Sequence, residues 1–171
     1  LSVRGAHLDQ THGYFNGSCL FLAVEGQEDN LSTLEIHLPT QHQSWRIATT
    51  LESLSSHQAG VYRYQAANYL TLLDHPVEMG DFSEVTFTTH NTPHRVVVTG
   101  QHRADLNRLS RDLTRICAAA INFWGEDAPP FNQYLFQVMA VGSGYGGLEH
   151  RSSTSLLCSR DDLPLTSEPE H

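Results

Sequence analysis

The residues best placed to do chemistry lie in "GSGYGGLEHRSST", residues 142–154, where four glycines within six positions lead to one carboxylate, Glu149, and one imidazole, His150. Glycine has no Cβ. A second backbone can therefore lie close against Gly146 and Gly147 and pair with their main-chain groups, provided the segment forms a strand edge. Glu149 then sets a negative charge near one end of that second chain. A free α-amino group is cationic, or nearly so, at neutral pH. The pattern thus fits selection of a peptide N-terminus by charge and by backbone shape.

Two other readings compete for the same glycines. "GSGYGG" formally matches G-x-G-x-x-G, and Asp161 and Asp162 follow about twenty residues after its start, as in dinucleotide sites. However, "LEHRSSTSLL" leaves no room for a full helix before the next strand, so a pyrophosphate would lack its helix N-terminus. A Walker A loop is excluded because the chain has no lysine. The plainer alternative is a glycine-rich turn between two strands, with Tyr145 packed over it.

Metal and nucleophile chemistry find little support. Among eleven histidines, His90 and His94 have one-face helical spacing, but Pro93 lies between them and the flanks favour strands. They read as turn residues, and the remaining histidines are scattered. H-E-x-x-H does not occur, nor does G-x-S-x-G. Cys19, Cys117 and Cys158 lack any C-x-x-C pairing and are expected to be buried small hydrophobes rather than disulfide partners or zinc ligands.

Ten arginines and no lysines face nineteen carboxylates, for a net charge of −9. A phosphate backbone is repelled on average, which argues against nucleic-acid binding. No apolar run approaches membrane-spanning length, and no signal peptide opens the chain. The compartment, cytoplasmic or periplasmic, is left open by these features.

The elements that must carry the glycine segment fall into two parts. Residues 18–26, 34–38, 45–51, 61–66, 85–90 and 95–100 read as short strands, and "HNTPH" (90–94) can close a hairpin. Residues 68–80 allow a short helix that Pro76 would stop. From Ala104 to Trp124, Leu106, Leu109, Leu113, Ile116, Ala120 and Phe123 recur at three- and four-residue steps, which predicts one long helix. "EDAPP" (126–130) is a loop. Residues 134–141 are apolar on both faces, as in a doubly covered strand, and 154–159 form a second strand candidate. The expected class is α+β: a mainly antiparallel β domain, then a long helix and a β-hairpin unit. The tail from Leu163 to His171 is expected to be disordered or a truncated linker.

At "YGGLEHRSST" (145–154) the chain resembles the glycyl aminopeptidase family, zinc metallopeptidases with a thermolysin-like catalytic domain that is often followed by a PDZ domain. "SVRGAHLDQTHGYFNGSCLFL" (2–22), "LLDHPVEMGDF" (72–82) and "PPFNQYLFQVMAV" (129–141) are similar to the same family, in order along most of the chain. The resemblance implies a β-rich domain over 1–98, the start of the catalytic domain over 99–162 and the tail over 163–171. Tyr145-Gly146-Gly147-Leu148-Glu149-His150 resembles the family's Gly-Gly-Leu-Glu-His segment. A related Gly-x-Met-Glu-Asn segment in aminopeptidase N-like enzymes is an edge strand that binds the substrate's backbone and N-terminus.

By that analogy Gly146 and Gly147 contact the substrate main chain, Glu149 its amino group, and Tyr145 and His150 line or brace the site. The family's zinc is held by an H-E-x-x-H further along, and this chain has none. The resemblance therefore implies a fragment that is inactive alone and has no cofactor of its own, whose parent carries zinc. Its partners would be a peptide with a free N-terminus and the remainder of the parent chain. The alternative is a non-catalytic peptide-binding or structural module on the same scaffold.

Overall fold

The computed structural model describes residues 1–55, 58–125 and 128–165, and among these twelve strands form three sheets. By its contacts the chain divides between Asp81 and Phe82. This lies ahead of the residue-98 boundary expected from sequence, because the strands at 83–99 hydrogen-bond into the sheet of the second unit.

The first unit runs through β1 (Ala6–Leu8), β2 (His12–Phe15), β3 (Ser32–His37), β4 (Arg46–Ala48), β5 (Glu52–Leu54), β6 (Val61–Ala66), a short helix α1 (Tyr69–Leu73) and β7 (Val77–Gly80). They make two antiparallel sheets, ordered β1-β2-β7-β4 and β3-β6-β5. Phe15, Ile36, Trp45, Tyr64, Leu72 and Val77 are buried in one core. Each such side chain contributes roughly 1.5–3 kcal/mol by leaving water. The Asn68 side chain caps α1 by accepting from the Thr71 amide at 2.8 Å, and the helix ends before Pro76, which cannot continue it. The strand expected over 18–26 is absent. Residues Gly17–Cys19 form a 3-10 turn and no ladder follows, so Leu22 and Val24 stay exposed. Apolar residues alone did not make a strand without a partner to pair with.

The second unit holds β8 (Ser83–Thr89), β9 (Thr92–Thr99), α2 (Leu106–Phe123), β10 (Tyr134–Val141), β11 (Gly146–Glu149) and β12 (Ser153–Ser159) in one sheet ordered β11-β12-β10-β9-β8. His90 and Asn91 both have positive φ, 47° and 56°, and close the β8–β9 hairpin in the manner of a two-residue type I′ turn. α2 then connects β9 to β10, which run parallel. The Asp105 side chain caps it, accepting from the Arg108 amide at 3.0 Å. Leu106, Leu109 and Leu113 pack on Val96, Val98 and Val138. Where β9 ends, Gly100 has φ +93°, and a Cβ there would stand 2.3 Å from the Ala140 carbonyl oxygen of β10, so only glycine fits.

These observations correct the expected α+β class. The described residues are mainly β, in three sheets, and α2 is the single helix among them longer than seven residues. The hairpin expected between the strands at 134–141 and 154–159 is also absent. The strands at 134–141 and 153–159 pair parallel rather than as a hairpin, because the segment between them is itself a strand. Nor does the expected tail begin at Leu163. Leu163 is buried in the second core, and the Pro164 carbonyl accepts from the Asp105 amide at 2.8 Å. Residues 166–171 lie outside the described residues, as do Glu126 and Asp127 of the expected loop.

Candidate functional site: a glycine-bearing edge strand

The glycine stretch divides into a bend and a strand. Residues 142–143 bend the chain away from β10, and Gly144 follows with φ +152°. A Cβ at 144 would meet Leu157 at 2.6 Å, so glycine is required for the chain to turn back over β12. Gly146–Glu149 then pairs antiparallel with β12, in the register Gly146↔Leu157, Gly147↔Leu156, Leu148↔Ser155 and Glu149↔Thr154. The His150 amide donates to the Ser153 carbonyl at 2.8 Å and closes the turn into β12.

β11 ends the sheet order. One side of its backbone is bonded to β12, and among the described residues no strand pairs with the other, which presents the N–H and C=O groups of an edge. The turn reading of the glycines thus describes only residues 142–144. The dinucleotide reading loses its context, since Gly147 continues into strand rather than opening a helix.

Alternation along β11 decides which side chains meet. Gly147 and Glu149 stand on one face, Gly146 and Leu148 on the other. Through the register, Gly147 and Glu149 share the face of Leu156 and Phe136, which join the core that α2 covers. A Cβ at Gly147 would stand 3.4 Å from the Glu149 carboxylate, so the acid lies over the glycine. Glu149 itself is exposed, and no described residue hydrogen-bonds or ion-pairs with its carboxylate. Tyr145 is 97% exposed where the strand begins, and His150 is half-buried where it ends.

Tyr134, a residue that sequence reasoning passed over, belongs to this neighbourhood. Burial pushes its phenol up to about 12, with smaller contributions from Cys117 and from the Glu149 charge. Its ring lies 5.0 Å from both Phe131 and Phe136 and 6.0 Å from His94. Phe131 also lines an apolar groove of about 630 Å³ with Ile121, Trp124, Pro129 and Pro130. The Glu149 charge is thus felt by the Tyr134 phenol, which sits among the rings of Phe131, Phe136 and His94.

Within the same sheet, His94 is buried and stacked on Phe87 with ring centroids 4.8 Å apart. Burial lowers its pKa, partly offset by its hydrogen bond to the Thr92 carbonyl. It is a core residue, whereas His90 is in the turn, as expected from sequence. All three cysteines are free, but Cys19 is exposed and the other two only half-buried, so none is the fully buried hydrophobe expected.

Among the described residues, neither Glu149 nor His150 joins a set of metal-ligating side chains. Among the described residues, one group of three His, Cys, Asp or Glu could hold an ion, His7, Asp9 and His12 of the first unit.

Comparison with known proteins bears on both units. Residues 1–81 match the Peptidase M61 N-terminal domain. An aminopeptidase N family protein from Idiomarina loihiensis has the same structure over the whole chain, with a TM-score of 0.93 and 43% identity. This chain spans 29% of the length of that protein. An M1 zinc metallopeptidase from Deinococcus radiodurans matches over 90% of this chain and 37% of its own, with a TM-score of 0.57 and 13% identity. Native yeast LTA4 hydrolase matches over 85% of this chain and 23% of its own, with a TM-score of 0.58 and 12% identity. At those identities the last two establish a shared fold alone. No curated protein matches the chain by sequence.

Proposed function

We propose that this chain is the substrate-orienting part of a zinc aminopeptidase of the glycyl aminopeptidase type. In this reading a peptide lies along the free edge of β11 and pairs with the main chain at Gly146 and Gly147. Glu149 receives its α-ammonium group, and Tyr145 and His150 flank the two ends of the strand. The M61 match over 1–81 and the aminopeptidase N family structure support a peptidase as the setting. The observation that carries the reading is the Glu149 carboxylate, exposed on an edge strand and bonded to no described residue. A carboxylate with a structural duty is ordinarily engaged by a partner, whereas one that awaits a ligand is not.

The chemistry of peptide hydrolysis lies outside these residues. The chain has no H-E-x-x-H, so no step is assigned to a metal here, and the chain alone is expected to leave peptides intact. In the enzyme that carries it, Glu149→Gln should lower kcat/KM for unblocked peptides on the order of 100-fold, since an ammonium would lose its charged partner. Zinc content should not change. Equal turnover by variant and wild type would remove Glu149 from this role.

A further inference from the structure

The β1–β2 hairpin of the first unit gathers three ligating side chains. We propose that His7, Asp9 and His12 form a binding site for a divalent transition-metal ion of the zinc type. Their ligand atoms all lie within 4.8 Å of one another. His7 Nε2 is 2.9 Å from Asp9 Oδ2, and the two imidazole rings are 4.9 Å apart. Two imidazoles and a carboxylate are a donor set that zinc and its neighbours favour, and three protein ligands with water in the fourth position complete a tetrahedron.

The hairpin holds these groups in place before any ion arrives. Asp9 Oδ1 accepts from the Thr11 amide at 2.7 Å, the Thr11 hydroxyl at 2.6 Å and the His12 amide at 3.1 Å. The Asp9 amide donates to the His12 carbonyl at 3.0 Å. One carboxylate oxygen thus builds the turn, and the other, Oδ2, faces His7. His7 on β1 and His12 on β2 are brought to one face of the sheet by the β1–β2 register, in which Leu8 lies opposite Gly13.

A second observation, independent of the cluster, points to a ligand. His12 Nδ1 lies 2.9 Å from Oε1 of Glu78, which is 2% exposed on β7. The carboxylate can only accept, so Nδ1 carries the hydrogen and neutral His12 keeps its lone pair on Nε2. A buried carboxylate that orients a histidine through its far nitrogen is the usual support of a metal-ligating imidazole. His7 and Asp9 remain partly exposed, which leaves a way in for the ion. A bound ion would fasten the hairpin to β7 through the His12–Glu78 contact. This site shares no residue with the β11 strand, and its failure would leave the peptide-binding proposal untouched.

The test is titration of the chelator-treated 171-residue chain with Zn²⁺ by calorimetry and with Co²⁺ by visible absorption. One equivalent should bind, with cobalt bands of nitrogen and oxygen ligation. His7→Ala and Asp9→Asn should each abolish that equivalent, and His90→Ala should leave it unchanged. Glu78→Gln, in protein shown by circular dichroism to be folded, should weaken binding by about 10–100-fold. Absence of binding overturns the proposal, and so does one equivalent that survives His7→Ala.

Discussion

Two carboxylates on strands, Glu78 and Glu149, show how position in a sheet separates a structural acid from an available one. Glu78 lies on β7, an interior strand between β2 and β4, where its register partners are Tyr14 and Ala48. It is buried and bonded to His12. Glu149 lies on β11 at the end of its sheet and is exposed. The residue type is the same and both strands are four residues long. A strand with neighbours on both sides encloses its acid and must supply a partner, because an uncompensated buried charge is costly. An edge strand leaves its acid in water, where its attraction remains free for something else.

The strongest way to break this comparison is to remove the interior acid. Glu78→Ala should cost about 1–3 kcal/mol, since it leaves the buried His12 N–H without its acceptor. Urea denaturation of the chelator-treated chain measures this, and a loss below about 1 kcal/mol would deny Glu78 its structural role. The same assay on the second unit calls for Leu135→Ala on β10. Leu135 is fully buried, and its truncation should cost about 2–5 kcal/mol by the same assay.

The pH dependence sharpens the contrast between the two units. The Glu78 hydrogen bond raises the pKa of His12, whereas burial among rings lowers that of His94. A lowered folded pKa means that the unfolded chain binds the proton more readily. The contribution of His94 is therefore complete above its unfolded value near 6.5 and is lost as pH falls below it. Stability should fall by at most about 1.4 kcal/mol per pH unit from this one group. His94→Phe should flatten that part of the profile in urea midpoints measured between neutral and mildly acidic pH. An unchanged slope would place the titration elsewhere. The smallest effect belongs to Glu149→Gln, which should alter stability by less than about 0.5 kcal/mol. A larger loss would mean that the edge acid holds the fold.

Local pattern disclosed some of this and missed the rest for identifiable reasons. The leucine steps from 106 to 113 marked α2, because a helix closes its hydrogen bonds within itself. β11 was not legible as a strand from its own residues. It is four residues long, half of them glycine, and owes its existence to β12, which follows it. The parallel pairing of β10 with β12 is likewise a long-range choice that alternation cannot reveal. For the β1–β2 hairpin, "HLDQTH" shows a usable spacing in retrospect, but the turn that joins its ends is made by side-chain bonds from Asp9. The decisive partner, Glu78, is 66 residues away. Glu149 was legible as an acid next to paired glycines, and its exposure follows from the edge position of β11, which depends on the pairing with β12.

The most direct measurement is the ratio of kcat/KM for an unblocked peptide to that for its N-acetyl form, in the proposed parent aminopeptidase, with and without Glu149→Gln. If the edge strand grips a free N-terminus, the wild-type ratio is large and the substitution collapses it by on the order of 100-fold, mostly through the unblocked peptide. A ratio that is the same in both proteins would contradict the account.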